Sequence, residues 1–310
     1  MLIVNLEPEN FSQYSKEKLK ELGSYLELDP SSNEFFSLKG QVDILIVRLG
    51  FMLDERFLDE FESLKVIVSA TTGLNHIDLS AAEKKCIDVI SLKGETEFLR
   101  TVTATAELTW GLLVAVSRNL ISAAEDVTEG RWCRDAFKGT QLAGKTIGII
   151  GYGRLGSIIA EYAKAFRMRV IVNDVRDDVE SIPLELLLKD SDVVTVHVDY
   201  NVSNECMFSD AEFSMMKDTA VFLNTSRGEL VDEEALERAI VNHEIAGAAI
   251  DVLSGEASLT CYSDNRLIQL AAATDRLIVT PHIGGATFES MANAEDFVVD
   301  KLINHISQPS

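Results

Sequence analysis

Residues 146–156 read Thr146-Ile-Gly-Ile-Ile-Gly151-Tyr152-Gly153-Arg154-Leu155-Gly156, an apolar run that passes directly into three glycines. The run is short and bounded by glycine, as a buried strand is, and Ser157–Phe166 behind it carries a helical pattern. A strand that turns into a helix with the spacing G-x-G-x-x-G brings main chain against phosphate. Gly151 permits the tight turn, Gly153 lets the backbone approach a pyrophosphate, and Gly156 lets the helix lie close to the strand. Free N–H groups at the helix N-terminus then face the anion.

Working outward, the next apolar run, Arg169–Asn173, stops at Asp174, 18 residues beyond Gly156. A carboxylate there accepts hydrogen bonds from an adenosine ribose and repels a 2′-phosphate, so NAD is the expected cofactor. Arg176, two residues on, is a cation that partly accommodates a phosphate. Four more β-like runs follow, at Asp192–Val198, Thr219–Asn224, Ala246–Asp251 and Arg276–Thr280. Beside their C-terminal ends stand His197, Arg227, Glu256 and His282. In open α/β sheets the ligand crevice lies outside the carboxyl ends of the strands, so these residues are expected to line one site.

The first hundred residues read as a second, smaller α/β unit. Strand-like runs at Leu2–Leu6, Ile44–Val47, Lys65–Ser69 and Asp88–Ser91 alternate with helices near Ser15–Tyr25, Asp54–Ser63 and Asp78–Lys85, the last capped by Asp78. One long helix is expected over Thr103–Glu129, with Leu108, Leu112, Leu113, Val116 and Leu120 on its apolar face, and another over Ala286–Ile306.

Composition narrows the function. The 28 basic and 50 acidic residues give a net charge of −22, which argues against nucleic acid and against an anionic membrane surface. The richest apolar stretch, Leu108–Val116, is roughly half of what spans a bilayer. Met1–Leu6 enters as a strand rather than as a signal peptide, so cytoplasmic residence is expected. The four cysteines are scattered without metal-ligand spacing, and no metal is expected.

The chemistry is carried by three segments: Asn224-Thr225-Ser-Arg227-Gly-Glu229, Asp251-Val-Leu-Ser-Gly-Glu256 and Thr280-Pro-His282-Ile-Gly284-Gly285. A histidine with a carboxylate and an arginine suits carbonyl–alcohol interconversion beside a nicotinamide. His282 exchanges the proton, Glu256 orients the imidazole and stabilises its charged form, and Arg227 grips a carboxylate and polarises the carbonyl.

Taken together, the glycine turn with Asp174 and these three segments resemble the D-isomer-specific 2-hydroxyacid dehydrogenase family. The resemblance runs from about Val47 to Phe297 and is similar to phosphoglycerate dehydrogenases that lack a regulatory domain. It implies a two-domain α/β fold: a discontinuous flavodoxin-like substrate domain (1–100 and 286–310) and an inserted Rossmann coenzyme domain (101–285). It implies NAD-linked interconversion of small 2-hydroxy and 2-oxo acids, with Arg227, Glu256 and His282 catalytic. His197, Thr225, Asp251 and Gly284 join residues 151–156 and Asp174 in binding the cofactor, Asp251 near the nicotinamide carboxamide. The loop Ala70-Thr-Thr72-Gly73 offers N–H groups to the substrate carboxylate, and Arg48, with Arg100 behind it, is a candidate for a phosphate or second carboxylate. The helix around Glu107–Arg118, leading to Trp132, matches the family's dimer arm, so a homodimer is expected. Three departures stand out: Asp199 and Ala257 replace prolines common in the family, and the 26 residues from Glu256 to His282 form a longer interval, which puts the Glu256 loop's position in question. Glyoxylate, hydroxypyruvate, 3-phosphohydroxypyruvate and an unusual sugar-derived acid all stay open as substrates. The competing reading is an NAD(H)-sensing, corepressor-like protein on the same fold.

Overall fold

The computed structural model describes residues 1–256, 259 and 261–307. The chain divides into two units, Met1–Thr101 with Ala286–Ser310, and Val102–Gly285.

Unit 1 is built on five parallel strands: β1 (Leu2–Asn5), β2 (Ser24–Glu27), β3 (Ile44–Val47), β4 (Val66–Ser69) and β5 (Asp88–Ser91), in the order β2-β1-β3-β4-β5. This is the flavodoxin-like order. Central strands β3 and β4 are buried throughout, as strands covered on both faces must be, which is why they read as Ile, Leu and Val up to Ser69. One face packs Leu45, Ile67 and Phe35 with Leu58. The other packs Ile3, Ile46 and Val68 against Leu19 and against Val298, Val299 and Leu302 of the helix Phe288–Ser307. Burying those three side chains contributes about 1.5–3 kcal/mol each and fastens the C-terminal helix to the N-terminal sheet.

Unit 2 holds six parallel strands: β6 (Thr146–Ile150), β7 (Arg169–Asn173), β8 (Val193–Val196), β9 (Val221–Asn224), β10 (Gly247–Ile250) and β11 (Leu277–Val279). Their order is β11-β10-β9-β8-β6-β7, so the winding reverses at β6. Ile150 pairs with Asn173 on one side and Val196 on the other, which sets the ends of β6, β7 and β8 side by side. One face is sealed by Phe208, Phe213 and Phe222, with ring centroids 4.7–5.7 Å apart. On the other face Trp110 and Leu113 cover Ile147, Ile149 and Leu223.

Asp78 caps its helix as expected, accepting from the Ala81 N–H at 2.9 Å. The expected helix Thr103–Glu129 is instead two, Ala104–Ser117 and Leu120–Thr128. Between them Asn119 adopts φ 50°, a left-handed conformation that asparagine tolerates better than most residues. The Ser117 carbonyl there accepts from the Thr140 N–H at 2.8 Å, so the returning chain takes up an acceptor at the break.

Candidate active site

The glycine turn leaves β6 at the point where the winding reverses. Gly151 has φ +86°, and a Cβ there would lie 2.6 Å from the His197 carbonyl oxygen at the end of β8. A Cβ at Gly156 would strike the Gly151 carbonyl oxygen, so the helix Arg154–Ala165 starts as close to the turn as backbone allows. At Gly153, the N-cap of this helix, no heavy atom beyond its chain neighbours lies within 4 Å of the Cβ position. The turn is tight where protein packs on it and open where a phosphate would approach, which fits a dinucleotide.

Asp174 follows β7, and its carboxylate accepts from the Tyr152 N–H at 2.7 Å, tying the ends of β6 and β7 together. Arg176 donates to the same carboxylate from Nε at 3.0 Å and from Nη2 at 3.2 Å. These hydrogen bonds, the guanidinium's first, hold Asp174 down at about 2. Arg154 donates from Nη1 to the Val102 carbonyl at 2.6 Å, while Leu155 is half-buried against the Trp110 side of the core. His197 bonds Thr195 Oγ1 through Nε2 at 2.9 Å; its Nδ1 is enclosed without a partner among the described residues, and burial lowers its pKa to about 4. Thr225, just past β9, shares a 2.7 Å hydrogen bond with Thr109.

A second cluster is assembled by backbone contact. A Cβ at Gly228 would collide with the Leu253 carbonyl, so the loop after β9 and the loop after β10 must touch. Asn224 braces the first loop, accepting from the Ser226 N–H at 3.0 Å and donating Nδ2 to the Arg227 carbonyl at 2.8 Å. Glu233 braces the second, accepting from the Ser254 N–H at 2.8 Å and from Asn265 Nδ2 at 2.9 Å. Glu256 Oε2 then accepts from the Leu253 N–H at 3.1 Å, while Oε1 meets His282 Nδ1.

His282 is positioned by main chain rather than by packing. Its φ is +53°, held by N–H bonds to the Asp251 and Thr280 carbonyls at 2.8 and 3.0 Å. The Asp251 carboxylate accepts from Thr280 Oγ1, the Ile283 N–H (2.9 Å) and the Gly284 N–H (2.7 Å), which fixes the histidine loop. Burial, partly offset by these bonds, raises the Asp251 pKa. With Nδ1 occupied, His282 Nε2 makes no hydrogen bond among the described residues. Arg227 donates Nη1 to the Ser226 carbonyl at 2.6 Å, and no carboxylate pairs with it among the described residues.

Residues 110–284 match the family model described as D-isomer specific 2-hydroxyacid dehydrogenase, NAD binding domain. The chain belongs to this family. It is 32% identical over 297 residues to the hydroxypyruvate reductase of Thermotoga maritima, covering 94% of this chain and 92% of that protein. It is 35% identical over 269 residues to the D-3-phosphoglycerate dehydrogenase of Methanocaldococcus jannaschii, covering 84% of this chain and 49% of that one. Among solved structures, D-lactate dehydrogenase from Aquifex aeolicus, complexed with NAD and lactic acid, superposes with a TM-score of 0.84 at 28% identity. That likeness covers 99% of this chain and 95% of the other.

For this dehydrogenase, the long interval before His282 leaves Glu256 in contact with the imidazole; Ala257 and Ser258 lie outside the described residues. The unit 1 candidates stand differently. Arg48 Nη2 pairs with the buried Glu295, and Nη1 donates to the Glu9 carbonyl at 3.0 Å. Its guanidinium is therefore held by the protein itself. In the loop after β4, Thr71 Oγ1 donates to the Gly73 carbonyl at 2.9 Å and bonds Ser69 Oγ at 2.8 Å. Ser69 Oγ in turn lies 3.2 Å from Nε2 of the buried His76, so Thr72 and Gly73 belong to a braced loop. Sequence reasoning missed His76, Glu233 and Val175. Val175 is 99% exposed, an uncovered apolar side chain next to Asp174. Its place immediately after Asp174 was the available signal.

No helix among the described residues is long and apolar enough to cross a membrane.

Proposed function

We propose that this NAD-dependent dehydrogenase interconverts a small D-2-hydroxy acid and its 2-oxo acid, with His282 as general acid–base, Glu256 as its orienting partner and Arg227 as the carboxylate-binding cation. The observation that carries the reading is the His282–Glu256 contact through Nδ1, with Nε2 making no hydrogen bond among the described residues. Residues 151–156 and Asp174 would hold NAD, with Thr225, Asp251 and Gly284 framing the loops around it. Bound there, NAD would supply the hydride acceptor for the oxidation and, in reduced form, the hydride donor for the reverse.

In the reducing direction His282 Nε2 donates a proton to the carbonyl oxygen as negative charge develops there. Glu256 keeps the ring oriented and balances the imidazolium. Arg227, with no carboxylate partner among the described residues, pairs with the substrate carboxylate and polarises the carbonyl. Its planar fork matches a 2-oxo acid in two-point contact. Hydroxypyruvate and pyruvate are the first substrates to try, since relatives carry the names hydroxypyruvate reductase and D-lactate dehydrogenase.

The test is NADH mixed with glyoxylate, hydroxypyruvate, 3-phosphohydroxypyruvate, pyruvate and 2-oxoglutarate, followed by loss of reduced-nicotinamide absorbance. Turnover on any of them supports the reading. Bound NADH with no turnover across the panel overturns it. The residues Leu120, Ile121, Val127 and Trp132, the last 84% exposed, support a homodimer. A monomeric mass in solution would overturn that part.

A further inference from the structure

We infer that Arg176 makes this chain bind NADPH as well as NADH, an inference that rests on reading residues 151–156 and Asp174 as the dinucleotide site. A carboxylate at the end of β7 rejects a 2′-phosphate through an unpaired charge and offers free acceptors to the ribose. Here neither condition holds. Oδ1 accepts from the Arg176 N–H at 2.9 Å and from Nε at 3.0 Å; Oδ2 accepts from the Tyr152 N–H at 2.7 Å and from Arg176 Nη2 at 3.2 Å. A carboxylate has about four lone-pair positions, so the chain itself fills them.

Arg176 can leave. Its side chain is 48% exposed while that of Asp174 is 8% exposed, and its Nη1 makes no hydrogen bond among the described residues. The guanidinium lies on the solvent side of the pair, so it can turn to a ligand without any new charge being buried. Turned outward, Arg176 frees Asp174 for ribose hydroxyls; turned onto a 2′-phosphate, it forms a charge-assisted pair that neutral groups cannot replace. Its Nη2 also donates to the Tyr152 carbonyl at 2.8 Å, which keeps the guanidinium beside the glycine turn. Asp177 and Asp178 are exposed neighbours that oppose a phosphate. Their repulsion is screened over roughly 8 Å at physiological salt, whereas the arginine contact is direct. Comparable affinities, rather than a preference for NADPH, are the consequence.

Binding of NADH and of NADPH to the intact protein, by calorimetry or by nucleotide fluorescence without substrate, gives the ratio of the two dissociation constants. Arg176→Gln should raise the ratio of the NADPH constant to the NADH constant by about tenfold or more, the value of one charge-assisted bond. Arg176→Lys, which keeps the charge, should restore part of it. An unchanged ratio in Arg176→Gln, or NADH binding without detectable NADPH binding in the wild type, overturns the inference and leaves the dinucleotide site standing. Failure of both nucleotides to bind overturns the site reading and the inference together.

Discussion

At the switch point of unit 1, between β1 and β3, the charged side chains answer one another. Arg48 pairs with Glu295, and Glu7 accepts from the N–H groups of Arg48 and Gly50. At the end of β6, where unit 2 reverses, and in the loops after its later strands, polar capacity is left over. Gly153 faces open space, His282 Nε2 is unpartnered, and Arg227 has no carboxylate among the described residues. The two sheets follow one winding rule, which places a crevice at the reversal. What separates the two places is satisfaction. The charges at the unit 1 switch point hold its own fold. In unit 2, beside paired groups such as Asp174 and Arg176, Arg227 has no carboxylate and His282 Nε2 no hydrogen bond among the described residues. A buried ion pair whose partners are both present is a structural device. An oriented group with an unused donor is a chemical one.

The sharpest way to break this contrast is His282→Ala. Turnover should fall by about a thousandfold, within the range assigned to a positioned acid or base, while NADH affinity and thermal stability stay close to wild type. Steady-state kinetics beside a binding titration checks it. A loss of NADH binding equal to the loss of turnover would mean that His282 serves the cofactor and not the proton.

The complementary change is Glu295→Ala in unit 1. It leaves the Arg48 guanidinium, whose Nε has no partner among the described residues, with only the Glu9 carbonyl, and removes the acceptor of the Ser12 N–H at 2.6 Å. Removing one side of a buried pair costs about 3 kcal/mol, which should lower the melting temperature by about 5–10 °C. The folded fraction should keep most of its kcat. If kcat collapses with stability unchanged, Arg48 faces the substrate and the contrast between the two units fails.

These two residues also show where the sequence stops being legible. Unit 2's six strands could be read because each carries a short apolar run after a polar break, and β6, buried at every position, reads most clearly. In unit 1, β2 escaped notice: Ser24-Tyr-Leu-Glu27 lies at the sheet edge, none of it fully buried, so it carries no apolar run to detect. The break at Asn119 depends on a left-handed residue and on Thr140 reaching back, neither of which a helical repeat records. In the site, Arg227, Glu256 and His282 were legible as motifs. Their assembly was not, because it turns on Gly228 meeting Leu253 and on a contact spanning 26 residues. Arg48 could be read as an anion ligand for the same reason: its partner, Glu295, is 247 residues away.

A smaller effect sharpens the contrast from the side of pH. His76 is buried in unit 1, its Nδ1 without a partner among the described residues, and burial lowers its pKa from 6.5 to about 4. Between these values the unfolded chain takes up a proton that the folded chain refuses. Its contribution is therefore complete above pH 6.5 and is lost as pH falls toward 4. At pH 5 the loss is about 2 kcal/mol by linkage. The chain's own charge of −22 acts the other way, since protonating carboxylates relieves repulsion, so the wild-type profile alone cannot isolate one histidine. His76→Gln removes the titration while the electrostatic background stays. Urea unfolding at pH 7.5 and pH 5 should show a stability gap about 2 kcal/mol smaller in the variant than in the wild type, whatever the variant's absolute stability. An equal gap in both proteins would mean that the folded protein admits the proton at His76, and that the interior of unit 1 tolerates an unsatisfied charge that the Arg48–Glu295 pairing says it does not.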